Sequence, residues 1–578
     1  MTAPQWDKEV DVLVVGGGAG GMAAAITAHI EGSSVLLVEK TGRIGGSTAV
    51  SGGAVWAPLN SQSARVGHPD TFEKAWSYMR NTVGDAAPEA MQRTFLDSAA
   101  AAVDFLEKHT ELKLAARTYS PDYYPDREGA ALGGRSLDPL MFDGRLLGKK
   151  HFRELRDPLP EFQVLGGMMI TMTDANHLLA VTRSFTSWKE GMKLVLRYFG
   201  DRLGGWHRGT RLVLGNALAA RLFKTVLDRR IDYWLGAPLK SLATEGGRVT
   251  GAEIEHEGRL LRVRAKRGVV IATGGFPWSA EMRGQLYPQP TGPWSMSPQD
   301  NAGEGITIAR AAGAAMGSGY FSPAFWAPVS ILQRPDGTHV RYPHLVWDRA
   351  KPGLMAVNAA GQRFVNESTS YHEFVIGMYR SHQTVPTLPA YLVCDSDFVE
   401  RWGLGLALPG GRPREHLVRA GYLHRAATLD ELARQLGIDA KGLAQSAERF
   451  NRYAQTGEDL DFGKGSTAYN RYLGDAGHQP NECLGPLEKG PFYAVKVYAG
   501  DIGTACGIRC NEHAQALGAD GAPIPGLYAA GNDMQSVMGG QYPAPGITLG
   551  PALTFGWIAG RHAARHTTET TPADMETA

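Results

Sequence analysis

The chain has 578 residues, 43% of them hydrophobic and 20% charged, the balance of a globular protein of several packed units and not of a disordered or fibrous one. Lys and Arg number 59 against 58 Asp and Glu, a net charge of +1 that excludes a broad pull toward nucleic acid or an anionic surface. Glycine is abundant, 72 residues, as expected where the backbone must approach a large ligand closely at many points.

Four cysteines (Cys394, Cys483, Cys506, Cys510) form no CxxC pair and are too few for a disulfide scaffold, so free thiols and a reducing, cytoplasmic compartment are expected. The 506/510 spacing has no histidine beside it, and no metal site is expected. Met1–Val10 lacks a signal-peptide pattern, and no run of 18 apolar residues is present to span a bilayer.

In chain order, Val10–Val15 is a β-branched apolar run, the pattern of a buried parallel strand. It runs into Gly16, Gly18, Gly20 and Gly21, then into the helix-forming Met22–Ala28. A second strand, Ser34–Val38, ends in Glu39, 18 positions after Gly21. Strand, G-x-G-x-x-G, helix and an acid ending the second strand together form the dinucleotide fingerprint. The first glycine makes the turn, the second admits a diphosphate to the helix N-terminus, and Glu39 accepts from ribose hydroxyls.

A second glycine-rich stretch follows at once: Lys40, Gly45, Gly46, Ser47, Ser51, Gly52 and Gly53. A nicotinamide has no use for it, whereas a flavin needs chain close beneath its ring. The stretch resembles the flavoproteins that include fumarate reductase, succinate dehydrogenase and the 3-ketosteroid dehydrogenases. Some of these attach FAD through a histidine here. Ser47-Thr48-Ala49 stands at that place, so non-covalent FAD is expected. The fold class implied is α/β, a Rossmann-like FAD-binding domain interrupted by an inserted α+β catalytic or cap domain.

Further along, Leu165–Met172 carries three methionines in five positions, read as core with an apolar wall or membrane-leaning loop as the other options, so peripheral membrane attachment stays open. Leu212–Leu218 begins a helix. Arg248–Ile254 and Leu260–Val263 alternate as an antiparallel hairpin. Val269–Gly275, with Ala272 and Gly274, resembles the ATGG segment of two-dinucleotide-domain flavoproteins, and Asn301–Gly305 resembles their NTGDG segment. The units expected are 1–317 and 497–565 for FAD, 318–496 for the insert, and a frayed tail, 566–578. In the insert, Gly353–Asn358 and Gly361–Glu367 read as strands, and Thr428–Leu436 and Lys441–Arg452 as helices. Gly526–Asp533 reads as a strand returning to the cofactor, with Gly531, Asn532 and Asp533 beside it and Asp533 meeting its ribityl or diphosphate part.

Gly539–Trp557 holds the chemistry. Its prolines and glycines give a rigid entry to a helix beginning near Thr548–Pro551. The N–H groups from Gly546 through Ile547 to Leu549 are donors at a positive dipole end, suited to a flavin edge or a substrate carbonyl, and the Tyr542 hydroxyl adds another. Tyr-Pro-x-Pro-Gly here resembles the 3-ketosteroid Δ1-dehydrogenases. That resemblance implies that Tyr542 and the Gly546 N–H hold the C3 ketone. It also places a catalytic tyrosine at Tyr123, in Pro121-Asp122-Tyr123-Tyr124, and another at Tyr371, after Asn366-Glu367-Ser368. It covers most of the chain except 137–205, where this sequence is longer than the shorter members.

The expected reaction is 1,2-desaturation of a small apolar cyclic 3-ketone: Tyr371 as phenolate takes the α-proton, and flavin N5 takes the hydride. A hydrogen bond from Tyr123 would lower the Tyr371 pKa toward a working range. A quinone-like carrier or oxygen reoxidises the flavin. A 3-ketosteroid is the substrate the resemblance favours, with a cyclohexanone carboxylate, or the Δ4-(5α) position of a steroid, as the alternative. A fumarate reductase-like activity is disfavoured by Asp501, an acid where those enzymes place a histidine to grip a dicarboxylate.

Overall fold

The computed structural model describes residues 6–182 and 184–565; the tail read above as frayed lies outside them. Strand Lys8–Val15 pairs in parallel with Val35–Glu39 on one side and Arg259–Ile271 on the other. Val12, Leu13 and Val14 have no exposed surface, which explains why the run is apolar without alternation: both faces of the strand are covered. Each such side chain contributes about 1.5–3 kcal/mol by leaving water.

Arg259–Ile271 does two jobs. Its first half closes the expected hairpin with Arg248–His256, and its second half pairs in parallel with the return strand Pro523–Ala529. Distant parts of the chain thus meet in one eight-stranded sheet. The first helix, Ala19–Ile30, lies along the last, Leu549–Arg565, where Gly556 and Gly560 sit against the backbone of Gly20 and Ala24. That contact fixes the start of the last helix relative to the glycine turn.

A second, six-stranded sheet is built mainly from the insert, with strand Phe492–Thr504 at its centre between Ala324–Gln333 and Ala390–Cys394. Phe492–Thr504 runs unbroken through position 497. We therefore place the return to the first unit after Thr504. Leu354–Val357 is a strand of this sheet, but Gly361–Glu367 is not. The Asn358 side chain accepts from the N–H groups of Ala360 and Gln362 and turns the chain, leaving a single bridge between Val357 and Arg363. Arg363 is then buried between the carboxylates of Glu367 and Asp459. Among the described residues no helix is long and apolar enough to cross a membrane.

Candidate active site

One cavity of about 1750 Å³ runs from the glycine turn, past a cluster of tyrosines, to the 159–195 segment at its mouth. Small-ligand sites span roughly 300–1,000 Å³, so a large cofactor and a substrate fit together here.

The cofactor end is assembled by the first sheet. Gly16 has φ 114°, and a Cβ there would stand 2.0 Å from the Ala272 carbonyl oxygen, so glycine alone allows the strand to turn at this point. Gly18 caps the first helix without a side-chain bond, and Gly18, Ala19 and Gly20 line the cavity at the helix's positive end. Glu39 faces the same space, its carboxylate fixed by the Gly17 N–H and by the Thr41 N–H and hydroxyl, each at 3.0 Å. Lys40 lines it too and pairs with Glu304 at 2.6 Å. Gly46, Ser47, Ser51, Gly52 and Gly53 form the next stretch of wall, and Asn301 donates to the Ser47 hydroxyl and the Gly274 carbonyl. Ala272, Gly274, Gly531, Asn532 and Leu549 complete this end. A helix N-terminus for phosphate, an acid for ribose and a long glycine-lined floor fit FAD.

Four expected cofactor positions lie off the cavity wall. Gly21 abuts the Gly16 carbonyl and lets strand and helix pack closely, and Gly45 turns the chain against Ala49. Ile547 faces a small void beside Phe325 and Phe555. Asp533 does not reach out to a ligand. Its buried carboxylate accepts from Thr273 (N–H and hydroxyl), Gly274 N–H and Gly275 N–H, and so fixes the turn that lines the cavity. Burial pushes its pKa up against these hydrogen bonds.

Tyr123, Tyr371, Tyr542 and Gly546 all line one cavity, brought there from three separate regions. The Tyr123 N–H donates to the Pro543 carbonyl at 2.7 Å, as does the Tyr78 hydroxyl, which locks the first tyrosine loop to the last. Asp122 beside it is held by Arg135, itself paired with Asp70, in a buried triad. Tyr371 opens helix Tyr371–His382, capped by the Ser370 hydroxyl. The neighbouring His372 accepts from the Trp326 N–H, and burial pushes its pKa down to about 3, so it stays neutral against the Tyr542 ring. Gly546 has φ 97°, and a Cβ there would lie 2.5 Å from the Trp56 nitrogen. Its carbonyl accepts from Trp56 and Gly550, while among the described residues its N–H finds no acceptor.

The Tyr123 hydroxyl donates to that of Tyr371 at 3.1 Å. Tyr123 stacks on Tyr542 at 5.4 Å and Tyr371 meets Tyr542 edge-on at 5.1 Å. The expected lowering of the Tyr371 pKa is corrected: burial first, and then the neighbouring Tyr123 and Tyr542 phenols, push it well above its ordinary value. Tyr123 and Tyr542 are pushed up for the same reason. A fourth phenol escaped sequence reading. Tyr469 packs 4.6 Å from Tyr123, lines the cavity, and buries its hydroxyl. It stands at the start of an ordinary six-residue helix, and only the tertiary fold brings it here.

Asp501 does not face the cavity as an open repelling charge. It is fully buried and paired with Arg283 and the Ser295 hydroxyl. Of the methionines, Met168 and Met169 are buried and Met172 is half exposed at the cavity mouth.

The family described as an FAD binding domain matches residues 11–549. The chain is 38% identical over 561 residues to the 4-oxocyclohex-2-ene-1-carboxylate 5-dehydrogenase of Sinomonas cyclohexanicum, covering 96% of this chain and 94% of that protein. It is 36% identical over 572 residues to the 3-oxosteroid 1-dehydrogenase of Mycolicibacterium smegmatis, covering 96% of each. The crystal structure of a 3-ketosteroid Δ1-dehydrogenase from Sterolibacterium denitrificans, in complex with 1,4-androstadiene-3,17-dione, matches with TM-score 0.89 and 39% identity over 96% of this chain and 99% of that one.

Proposed function

This chain belongs to the FAD-binding flavoproteins, and among them to the 3-ketosteroid Δ1-dehydrogenase-like oxidoreductases, and on that premise we propose that it introduces the 1,2 double bond of a 3-ketosteroid. The observation that carries the reading is the convergence of Tyr123, Tyr371, Tyr542 and the unpaired Gly546 N–H on one cavity. Tyr542 and the Gly546 N–H grip the ketone oxygen, which makes the α-hydrogen acidic and stabilises the charge that develops there. Tyr371, as phenolate, breaks the α-C–H bond and holds the proton on its Oη. Tyr123 donates to the phenolate and offsets part of the cost that burial imposes on it.

FAD, bound along the glycine cradle, supplies the acceptor for the β-hydrogen and its electron pair. No histidine or cysteine lies among the residues lining the cavity, in keeping with non-covalent attachment at Ser47. A quinone-like carrier or oxygen then takes the electrons.

A second reading, dehydrogenation of a cyclohexanone carboxylate, is favoured by two cations on the outer wall, Lys351 and Arg412. Burial pushes the Lys351 pKa down, and a substrate carboxylate would offset that cost. Anaerobic mixing of the FAD-loaded protein with each ketone separates the two. Bleaching of the flavin band by the ketosteroid alone supports the first reading, and bleaching by the keto acid alone supports the second.

A further inference from the structure

Arg349 is 2% exposed and stands in the insert just ahead of the strand Leu354–Val357. Its guanidinium donates to four carbonyl oxygens, those of His344, Leu345, Glu367 and Thr369, at 2.7–3.1 Å. Among the described residues no carboxylate pairs with it. Asp348, its neighbour in the chain, spends its carboxylate on the His344 ring at 2.5 Å and on the Arg349 backbone N–H. Glu367 turns its own carboxylate away, to Arg363 and Lys464. An arginine keeps its proton, so a full positive charge is left in the core with peptide dipoles to hold it, and a buried charge without a counter-ion is strongly destabilising. Its position adds to that cost. Glu367 and Thr369 lead directly into helix Tyr371–His382, and the guanidinium lies 5.1 Å from the Phe374 ring in the first turn, at the positive end of the helix dipole.

We propose that Arg349 is the counter-ion of the phenolate in the tyrosine cluster, a positioning residue that makes the charged form of Tyr371 attainable in a buried site. Arg349 is not among the residues lining the cavity, so it acts through the phenols and not on the ketone. Its two carbonyl partners at 367 and 369 tie it to the segment that delivers Tyr371, and Tyr371 is joined to Tyr469 through Tyr123. Burial pushes the Arg349 pKa down, and negative charge on Tyr469, then on Asp348, then on Tyr123 and Tyr371, pulls it back. The relation is mutual: burial raises the Tyr469 pKa, and Arg349 opposes that rise. The other charged groups around the cluster are already matched. Asp122 is held by Arg135, Glu373 accepts from the Tyr124 hydroxyl, and Arg117, which acts on Tyr123, pairs with Asp138. His372 is neutral. That leaves Arg349, whose carbonyl partners cancel none of its charge. The proposal rests on Tyr371 acting as the base, as read above; the pairing of charges is observable without any ketone.

The test is a pH titration of the FAD-loaded protein carrying tyrosine labelled with carbon-13 at Cζ, whose resonance moves when the phenol ionises. The Tyr371 resonance is the one missing from Tyr371→Phe. Arg349→Gln should raise its midpoint by about one to three pH units, the reach of an opposite charge at close range, and Arg349→Lys should bring it back most of the way. With a 3-ketosteroid, flavin reduction by Arg349→Gln should slow at least about tenfold at a fixed pH below the midpoint and recover the wild-type plateau at higher pH. Should the Gln variant fail to retain FAD, Asp348→Asn removes the anion flanking the guanidinium and must move the midpoint the other way, downward. An unmoved midpoint in Arg349→Gln, or in Asp348→Asn where that variant is needed, overturns the proposal. So does an Arg349→Lys midpoint displaced as far as that of Arg349→Gln, which would make the residue a staple for carbonyls. A midpoint that moves as expected in a protein whose flavin no cyclic ketone bleaches would uphold the charge pairing and sink the proposed dehydrogenation, so the two fail separately.

Discussion

Replacing Tyr123 by Phe removes one oxygen atom from the tyrosine cluster and leaves the ring, with its stack on Tyr542 at 5.4 Å and its contact with Tyr469 at 4.6 Å, in place. What is lost is the hydroxyl that donates to Tyr371 at 3.1 Å in a buried site. A hydrogen bond to a charged group is worth about 1.5–3 kcal/mol, and 1.36 kcal/mol is one pKa unit or one decade in rate. Because the bond matters when Tyr371 is a phenolate, its loss should slow flavin reduction roughly ten- to 150-fold. It should also move the alkaline rise of that rate up by about one to two pH units. The sign follows from the direction of the bond: Tyr123 donates to the Tyr371 oxygen, and losing a donor to the charged form raises the pKa of a phenol that burial already holds well above its ordinary value. The assay is anaerobic stopped-flow reduction of the bound flavin by a 3-ketosteroid across the alkaline range, with substrate affinity measured separately and expected to change little. A Tyr123→Phe enzyme with wild-type rate and an unmoved pH profile would refute the role of this hydrogen bond.

Tyr469→Phe should slow exchange of the abstracted proton with solvent, because the buried hydroxyl beside Tyr123 offers that proton a way toward the cavity; deuterium wash-in to recovered substrate checks this, and an unchanged wash-in rate counts against it. Gly546→Ala forces a side chain at φ 97° to within 2.5 Å of the Trp56 nitrogen and displaces the N–H that grips the ketone. A loss of about 10²–10³ in turnover is expected at full FAD occupancy, the size seen when an oxyanion donor is removed, and near-normal turnover would clear this N–H of the role. The buried phenols also bear on stability. Tyr371 and Tyr469 have folded pKa values raised by burial above the unfolded value near 10, so their contribution is complete below about pH 10 and is lost as pH rises beyond it. Each phenol adds up to about 1.4 kcal/mol per pH unit to that slope. Urea unfolding between pH 9 and pH 11 (about the range either side of the free phenol value) should therefore show a shallower fall for Tyr371→Phe with Tyr469→Phe than for the wild type, and equal slopes would contradict the burial effect.

The parts of this protein readable from its sequence are those in which neighbours in the chain do one job together. The fingerprint from Val10 to Glu39 is such a case: strand, glycines, helix and acid are consecutive, and the observed strand and helix bounds fall within a few residues of the expected ones. The insert is harder because its sheet is stitched from distant strands. Gly361–Glu367 has the composition of a strand, yet Asn358 turns the chain and Arg363 is drawn into a buried pair with Asp459, nearly a hundred positions away. Partners of that separation leave no local trace. The same applies to the acids. Asp533 and Asp501 look alike as charges available to a ligand, and both are consumed by buried partners, a peptide turn in one case and Arg283 in the other. Tyr469 was invisible because nothing beside it in the chain marks it. The helix Phe185–Leu203 has its apolar period written in the residues, but which face the rest of the fold leaves uncovered is not written there.

The account turns on Tyr371 as the base, and the most direct measurement is anaerobic flavin bleaching by a 3-ketosteroid in wild type and Tyr371→Phe, both loaded with FAD. The ring and its contacts with Tyr123 and Tyr542 survive the change, so binding of the ketone should persist while bleaching slows by about a thousandfold, within the range for loss of a general base. Bleaching of the Tyr371→Phe enzyme at the wild-type rate would mean that some other group takes the proton.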